Sequence, residues 1–376
     1  MLYKTIISTF FLLAAFFSSN AAIWTKEDSI QVFYEYVHKA EFKILISKYQ
    51  DACGLYDTAF LYYPHPQATD IHNQLMCFLQ TRNYKRALQC CNQLILKGAT
   101  DKYFKQNSFY DFNKSEESGI LAKQYKINHE RFLASINNDI IREIKKIFDA
   151  DQSVHCRIPS NNKDTAFIKR MHNNDDSLAI LLNDLLINND FLSEDVIGAS
   201  FRDDTTLSES PGYGVVVVHQ IQKRGDLLTE TISRAMQLGK LRPEMGLEWI
   251  GRNFKSTFDI TSDYIVFSDT LWKSHVAYPN RRMGLKLSGQ DDDGIKDFMH
   301  HFYLDDRYYD LEKRIVYNYY KNCAKCISPI NKSFYILPAA LDNGYPNKDV
   351  DNGVQKDAHD HYNAFAFPNY SILSDK

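Results

Sequence analysis

The chain has 376 residues, enough for two or three domains and a substantial core, and 14% of them are aromatic, so it buries surface instead of staying disordered. Its formal net charge is −3, with acidic and basic residues mixed along its length. That balance excludes a basic stripe for nucleic acid and a polybasic patch for a membrane surface.

Residues 1–21 have the layout of a secretory signal peptide. Lys4 supplies the positive start, residues 5–17 form an apolar run, and Ser19-Asn20-Ala21 satisfies the small-x-small cleavage rule. The expected mature chain begins after Ala21 and is exported, to the periplasm or outside the cell. Retained, the same segment would be a signal anchor. No cysteine follows the cut, so a lipid anchor of the bacterial lipoprotein kind is not supported. No later stretch approaches the ~20 apolar residues a membrane span needs.

Residues 22–106 read as helical and repetitive. Tyr49, Ala52, Tyr56, Ala59 and Pro64 are spaced like the second helix of a repeat in which small residues let helices cross and a large one fills the gap. Ala40 lies twelve residues before Ala52, where the first helix would carry its own small residue. Tyr84 and Ala87 repeat Tyr49 and Ala52 at an offset of 35 residues, against roughly 34 for tetratricopeptide repeats. The segment from Phe33 to Thr100 therefore resembles tetratricopeptide hairpins, with generic helical hairpins as the plainer alternative. The second unit departs at Leu75 and Leu94, where small residues belong, and lacks the proline near Ala99. Cys77, Cys90 and Cys91 read as small apolar helix residues. With Cys53, Cys156, Cys323 and Cys326 they make seven, an odd count for an exported chain. The one C-x-x-C, Cys323 to Cys326, reads as a local disulfide or inert thiols in preference to a metal or redox centre.

Residues 107–118 are polar and read as a linker. A second helical domain is expected over residues 119–258. Ile136, Ile140, Ile144, Ile147 and Phe148 recur at helical spacing, and the stripe runs on to Asp151, followed by Gln152. Asp175-Asp176-Ser177 reads as the cap of a helix carrying Leu178, Leu181, Leu182, Leu185 and Leu186. Gly198 sits in a turn, and residues 202–211 read as a polar loop. Val215 to Val218 then run straight into His219. Four β-branched residues favour a strand by propensity, while a buried helix would place His219 on the stripe of Val215 and Val216. A helix with Leu228, Ile232 and Ala235 stops near Gly239. The next opens at Pro243 and carries Met245, Trp249 and Arg252 on one face.

The order Asp151-Gln152, Gly198 in a turn, an apolar run ending in His219 and then Arg252 resembles a bacterial exported domain family of unknown function. That family carries an Asp-Gln pair followed by Arg, a Gly after a Pro-Ser turn, an apolar run ending in His, and an Asp-Arg pair, often behind tetratricopeptide-like helices. The resemblance covers about residues 136–258 and carries no activity with it. This chain departs from the pattern at Leu192, at Gly251-Arg252 and in the spacing of Arg157, and no Gly-Thr-Gln-type segment comes after them.

Residues 259–376 are rich in Tyr, Phe, Asn and Asp and read as an irregular α+β region. Asp349 to Gly353 fails as a calcium loop, because its glycine comes one place early and no glutamate closes it. Asp297, His301 and Asp305, and His359-Asp360-His361, read as solvated polar groups before metal ligands.

The expected fold is therefore mainly α: tetratricopeptide-like hairpins packed against a second helical domain, then an irregular α+β region. The expected function is binding, with a protein or peptide partner taken up through the repeat helices. The alternative is a hydrolase-like enzyme with His219 as general base supported by Asp151 and Arg252, and Gln152 as a ligand-binding group. Serine elbows, phosphate loops and zinc-protease helices are absent as motifs, and no cofactor or metal is expected.

Overall fold

The computed structural model describes residues 26–155, 165–208, 210–221, 224–254, 264–267, 276–279 and 334–335, and over them the chain is mainly helical. The signal segment, Cys156, Arg157, the Cys323–Cys326 pair and the Asp/His clusters of residues 297–305 and 349–361 lie outside the described residues.

Helices α1 (Lys26–Leu45) and α2 (Tyr49–Tyr62) form one hairpin, and α3 (Ala68–Gln80) and α4 (Tyr84–Ile95) a second. Their turns are copies of each other. Ser47 and Arg82, 35 residues apart, are both left-handed, with φ of 59° and 56°. The next amide in each reaches back five residues, Lys48 N–H to the Lys43 carbonyl at 2.8 Å and Asn83 N–H to the Phe78 carbonyl at 2.9 Å. This is the six-to-one closure that satisfies the orphan carbonyls at a helix end. Ala40, Ala52, Ala59 and Ala87 are all fully buried. Cys53, Cys77, Cys90 and Cys91 are buried free thiols in the same core, and burial pushes the thiols of Cys77, Cys90 and Cys91 up, away from the reactive thiolate.

Helix α3 is buried on nearly every side despite its polar sequence. It is tolerable there because most of its buried polar side chains are partnered. Asn73 Nδ2 donates to Tyr56 Oη at 3.2 Å and to the Tyr335 carbonyl at 2.7 Å. Gln74 Nε2 donates to Asp57 at 2.7 Å, and His72 Nδ1 meets Tyr103 Oη.

The segment expected to be a linker is instead packed: residues 107–114 fold into two short 3-10 turns that put Phe109 and Phe112 into the first core, and residues 116–118 already belong to the next helix. Two buried phenyl rings outweigh the polar composition around them. Helix α5 (Glu116–Ser135), which the sequence pattern groups with the second helical domain, lies on α4, burying Leu121 there. Asn92 bridges the pair, donating to Gln124 and accepting from Asn128, each at 2.8 Å.

A second core gathers α6 (Asn138–His155), α7 (Thr165–Asn188), α9 (Gly214–Ile221), α10 (Gly225–Gln237) and α11 (Pro243–Phe254), with short α8 (Glu194–Ile197) between α7 and α9. Helix α7 starts ten residues before the expected cap, so Asp175 and Asp176 lie within it, and Leu181 is exposed while Leu178, Leu182 and Leu186 are buried. The expected polar loop holds a short ladder, β1 (Phe201–Arg202) against β2 (Thr206–Leu207), antiparallel with Arg202 opposite Thr206. Its turn uses left-handed Asp203 and Asp204, a conformation that aspartate tolerates.

The valine run is a helix, not a strand. As α9 it turns Val216, Val217 and Ile221 into the second core. A β-branched residue costs only up to about 0.7 kcal/mol against alanine in a helix, whereas burying such a side chain contributes about 1.5–3 kcal/mol. Packing therefore overrides propensity. Beyond α11, β3 (Tyr264–Phe267) pairs antiparallel with β4 (Val276–Pro279). Among the described residues no helix is long and apolar enough to cross a membrane.

Candidate functional site

Three of the four residues nominated from sequence come together. The stripe of α6 carries Asp151 to its inner end, where it is fully buried, and α9 presents His219 and Gln220 to it. His219 Nδ1 lies 2.8 Å from Asp151 Oδ2. Gln152 Nε2 donates to the same oxygen at 2.7 Å, and Gln220 Nε2 donates to Oδ1 at 3.0 Å. Burial alone pushes the Asp151 carboxyl up, but the His219 imidazole and the two amides together outweigh it and hold the group below its ordinary range. The His219 side chain is 26% exposed, so one edge reaches the surface while its Nδ1 is fixed on a buried carboxylate. Gln220, which the sequence pattern did not single out, is fully buried, and its Oε1 has no hydrogen-bond partner. Its adjacency to His219 on a helix was the available signal. Arg252 is on the last turn of α11, and its side chain lies outside the described residues.

Beside this cluster α9 forms one wall of a cleft of about 520 Å³. Val215 and Val218 line it together with Leu207, Met245 and Trp249, while Thr206, Ser208, Ser210 and Tyr335 contribute hydroxyls and Arg202 the only charge among the described residues of the lining. His219 is one turn on from Val215 and is not part of that lining. Gly214 opens α9 here because nothing larger fits: a Cβ would run into Ser210 Oγ and lie 2.9 Å from the Trp249 ring.

A second polar centre has no counterpart in the sequence motifs. Arg242, at the start of α11, is fully buried among carboxylates of both cores. Its guanidinium is 2.8 Å from Glu41 of α1, 3.4 Å from Asp70 of α3 and 3.3 Å from Glu244. His38 Nδ1 stands 3.7 Å from Glu41 and 3.8 Å from Glu244. Three carboxylates share one guanidinium, and Asp70 Oδ2 and Glu244 Oε1 lack hydrogen-bond partners. Burial, opposed by Arg242 and reinforced by Glu41 and Glu244, raises Asp70 to about 7. The signal was present on α1: His38 and Glu41 fall on the stripe Ile30, Phe33, Tyr34, Val37 and Ile44, where a surface charge does not belong. Among the described residues no three His, Cys, Asp or Glu side chains stand where a metal ion could join them.

Comparison with known families, with curated proteins and with solved structures finds no match.

Proposed function

We propose that this chain is an exported binding protein in which a tetratricopeptide-like hairpin stack supports the helical layer that carries the ligand cleft. The repeat reading is supported by the paired turns at Ser47 and Arg82, which reproduce the 35-residue offset of Ala52 and Ala87 in backbone geometry. Replacing Ala87 with Leu should overpack the helix crossing and cost about 1–3 kcal/mol in chemical denaturation. Unchanged stability would show that no close crossing exists there.

The observation that carries the binding reading is the cleft. Its volume falls within the range of small-molecule sites, and its lining mixes apolar walls with a few polar groups. The Asp151–His219 pair ties α9 to α6 and braces it: two amides and an imidazole converge on one buried carboxylate, fixing the angle at which α9 presents Val215 and Val218. Export follows the lysine, apolar run and small-x-small order of residues 1–21.

One observation favours the hydrolase reading as second. A quarter-exposed imidazole whose Nδ1 is held by a buried carboxylate is the arrangement that prepares a general base. The two readings separate in one experiment. Secreted protein is incubated with a low-molecular-weight extract and examined by native mass spectrometry and against an ester panel. Binding predicts a small-molecule adduct that is lost in Gly214→Val, where the new side chain intrudes on the cleft. Ester turnover that is abolished by His219→Gln, with no adduct, would overturn the binding reading.

A further inference from the structure

We infer that the cleft beside α9 selects a small carboxylate with an apolar body and an N–H or O–H donor, its carboxylate taken by Arg202; this rests on the binding reading above.

The class follows from what each part of the lining can offer. Leu207, Val215, Val218, Met245 and Trp249 are apolar, and the indole of Trp249 is held edge-on to Tyr213 at 6.1 Å. Trp249 is itself buried and adds an apolar edge to the wall, while Val215 is exposed to the cleft. The body of the ligand is therefore apolar.

Arg202 supplies the charge. It is exposed at the strand β1 edge of the cleft, and among the described residues it is the only ionic group of the lining and makes no ion pair. Of the two aspartates in the adjacent turn, Asp204 is paired with Lys102 at 2.8 Å. A guanidinium is a forked donor with five N–H groups and no acceptor, and a carboxylate matches it with two parallel hydrogen bonds.

The hydroxyls set the third feature. Ser208 Oγ donates to the Ser210 carbonyl at 2.8 Å, Ser210 Oγ to the Pro211 carbonyl at 3.3 Å, and Tyr335 Oη to the Leu207 carbonyl at 2.6 Å. With their protons committed to the main chain, Ser208 and Ser210 can offer a ligand only acceptor oxygens. A donor on the ligand, such as an amide N–H or a hydroxyl, complements them.

The test uses a matched pair of probes, N-acetylphenylalanine and its neutral carboxamide, titrated into the full-length secreted protein by calorimetry. The acid should bind at least about tenfold more tightly than the amide, the difference one charge-assisted hydrogen bond makes. Arg202→Gln, an exposed substitution with an unchanged melting temperature, should remove that preference by weakening the acid alone. Equal affinity for acid and amide, or a preference that survives Arg202→Gln, would overturn the carboxylate class while leaving the binding reading in place. If neither probe binds but the extract still yields an adduct, the class also falls and the cleft serves another ligand. If neither probe binds and no adduct forms, the binding reading itself has failed.

Discussion

Asp151 and Asp70 are both fully buried carboxylates, one in each core, and they are driven in opposite directions. Asp151 is one negative charge met by an imidazole and two amide donors, and its carboxyl is held low. Asp70 shares a single guanidinium with Glu41 and Glu244, keeps one oxygen without a partner, and is raised to about 7. Neither is exposed to solvent, but Asp70 lies deeper among protein atoms and has fewer donors for each carboxylate around it, and the two differences act in the same direction on whether a buried acid remains charged.

The largest effect that would test this contrast comes from removing the shared cation. Arg242→Leu leaves three buried carboxylates without a guanidinium and should destabilise the fold by about 3–5 kcal/mol in urea. A loss under about 1 kcal/mol would show that the cluster is wetter and more weakly coupled than its distances imply.

Asp151→Ala comes next. It strands the His219 Nδ1 and two amides and should cost about 1–3 kcal/mol. His219→Ala should cost less, and the double variant should lose less than the two single losses together, because each removes the same contact. Strict additivity would mean that the 2.8 Å pair contributes nothing as a pair.

The remaining test is a slope. Asp70 in the folded chain stands at about 7 against an ordinary 3.8, so between those values the folded state holds a proton that the unfolded state has released. Its contribution to stability is complete below about 4 and is lost as pH rises through about 7. Asp151 has the opposite sign: its contribution is present above the ordinary carboxylate range and is lost as pH falls through its depressed value. Denaturation midpoints of Asp70→Asn should therefore vary less between about pH 4 and pH 7 than those of the parent chain. An unchanged slope would assign the titration to another group of the cluster.

These two centres also mark what could be read from the sequence. Asp151 was legible because it ends a stripe of isoleucines within a single helix, and His219 because it ends an apolar run, so local periodicity located both. Their pairing depended on α9 being a helix. The β-branched valines argued for a strand, and only the packing of α7, α10 and α11 around that segment decides otherwise. The Arg242 cluster draws on α1, α3 and α11, more than 200 residues apart at its extremes, and no local pattern links them. Phe109 and Phe112 were hidden in the same way, two core rings within a segment whose average composition is polar. Periodicity reports which face of an element is inside, but not what that face meets.

Phe132, near the end of α5, is held at the place where the first core gives way to the second. A Cβ at Gly98 or at Gly198 would each fall 2.8 Å from the same atom of its ring, and both glycines have positive φ. Beside them Ala199 N–H bonds the Lys97 carbonyl at 2.8 Å, and Asn137 N–H bonds the Val196 carbonyl at 2.9 Å. One phenyl ring thus closes the loop after α4 onto the loop after α8, with the main chain hydrogen-bonded on either side. Neither half can open here without exposing that ring and orphaning amides that belong to the other. Unfolding of the two cores should therefore be coupled at this contact, and a calorimetric scan that resolves two separate transitions would show that it is not.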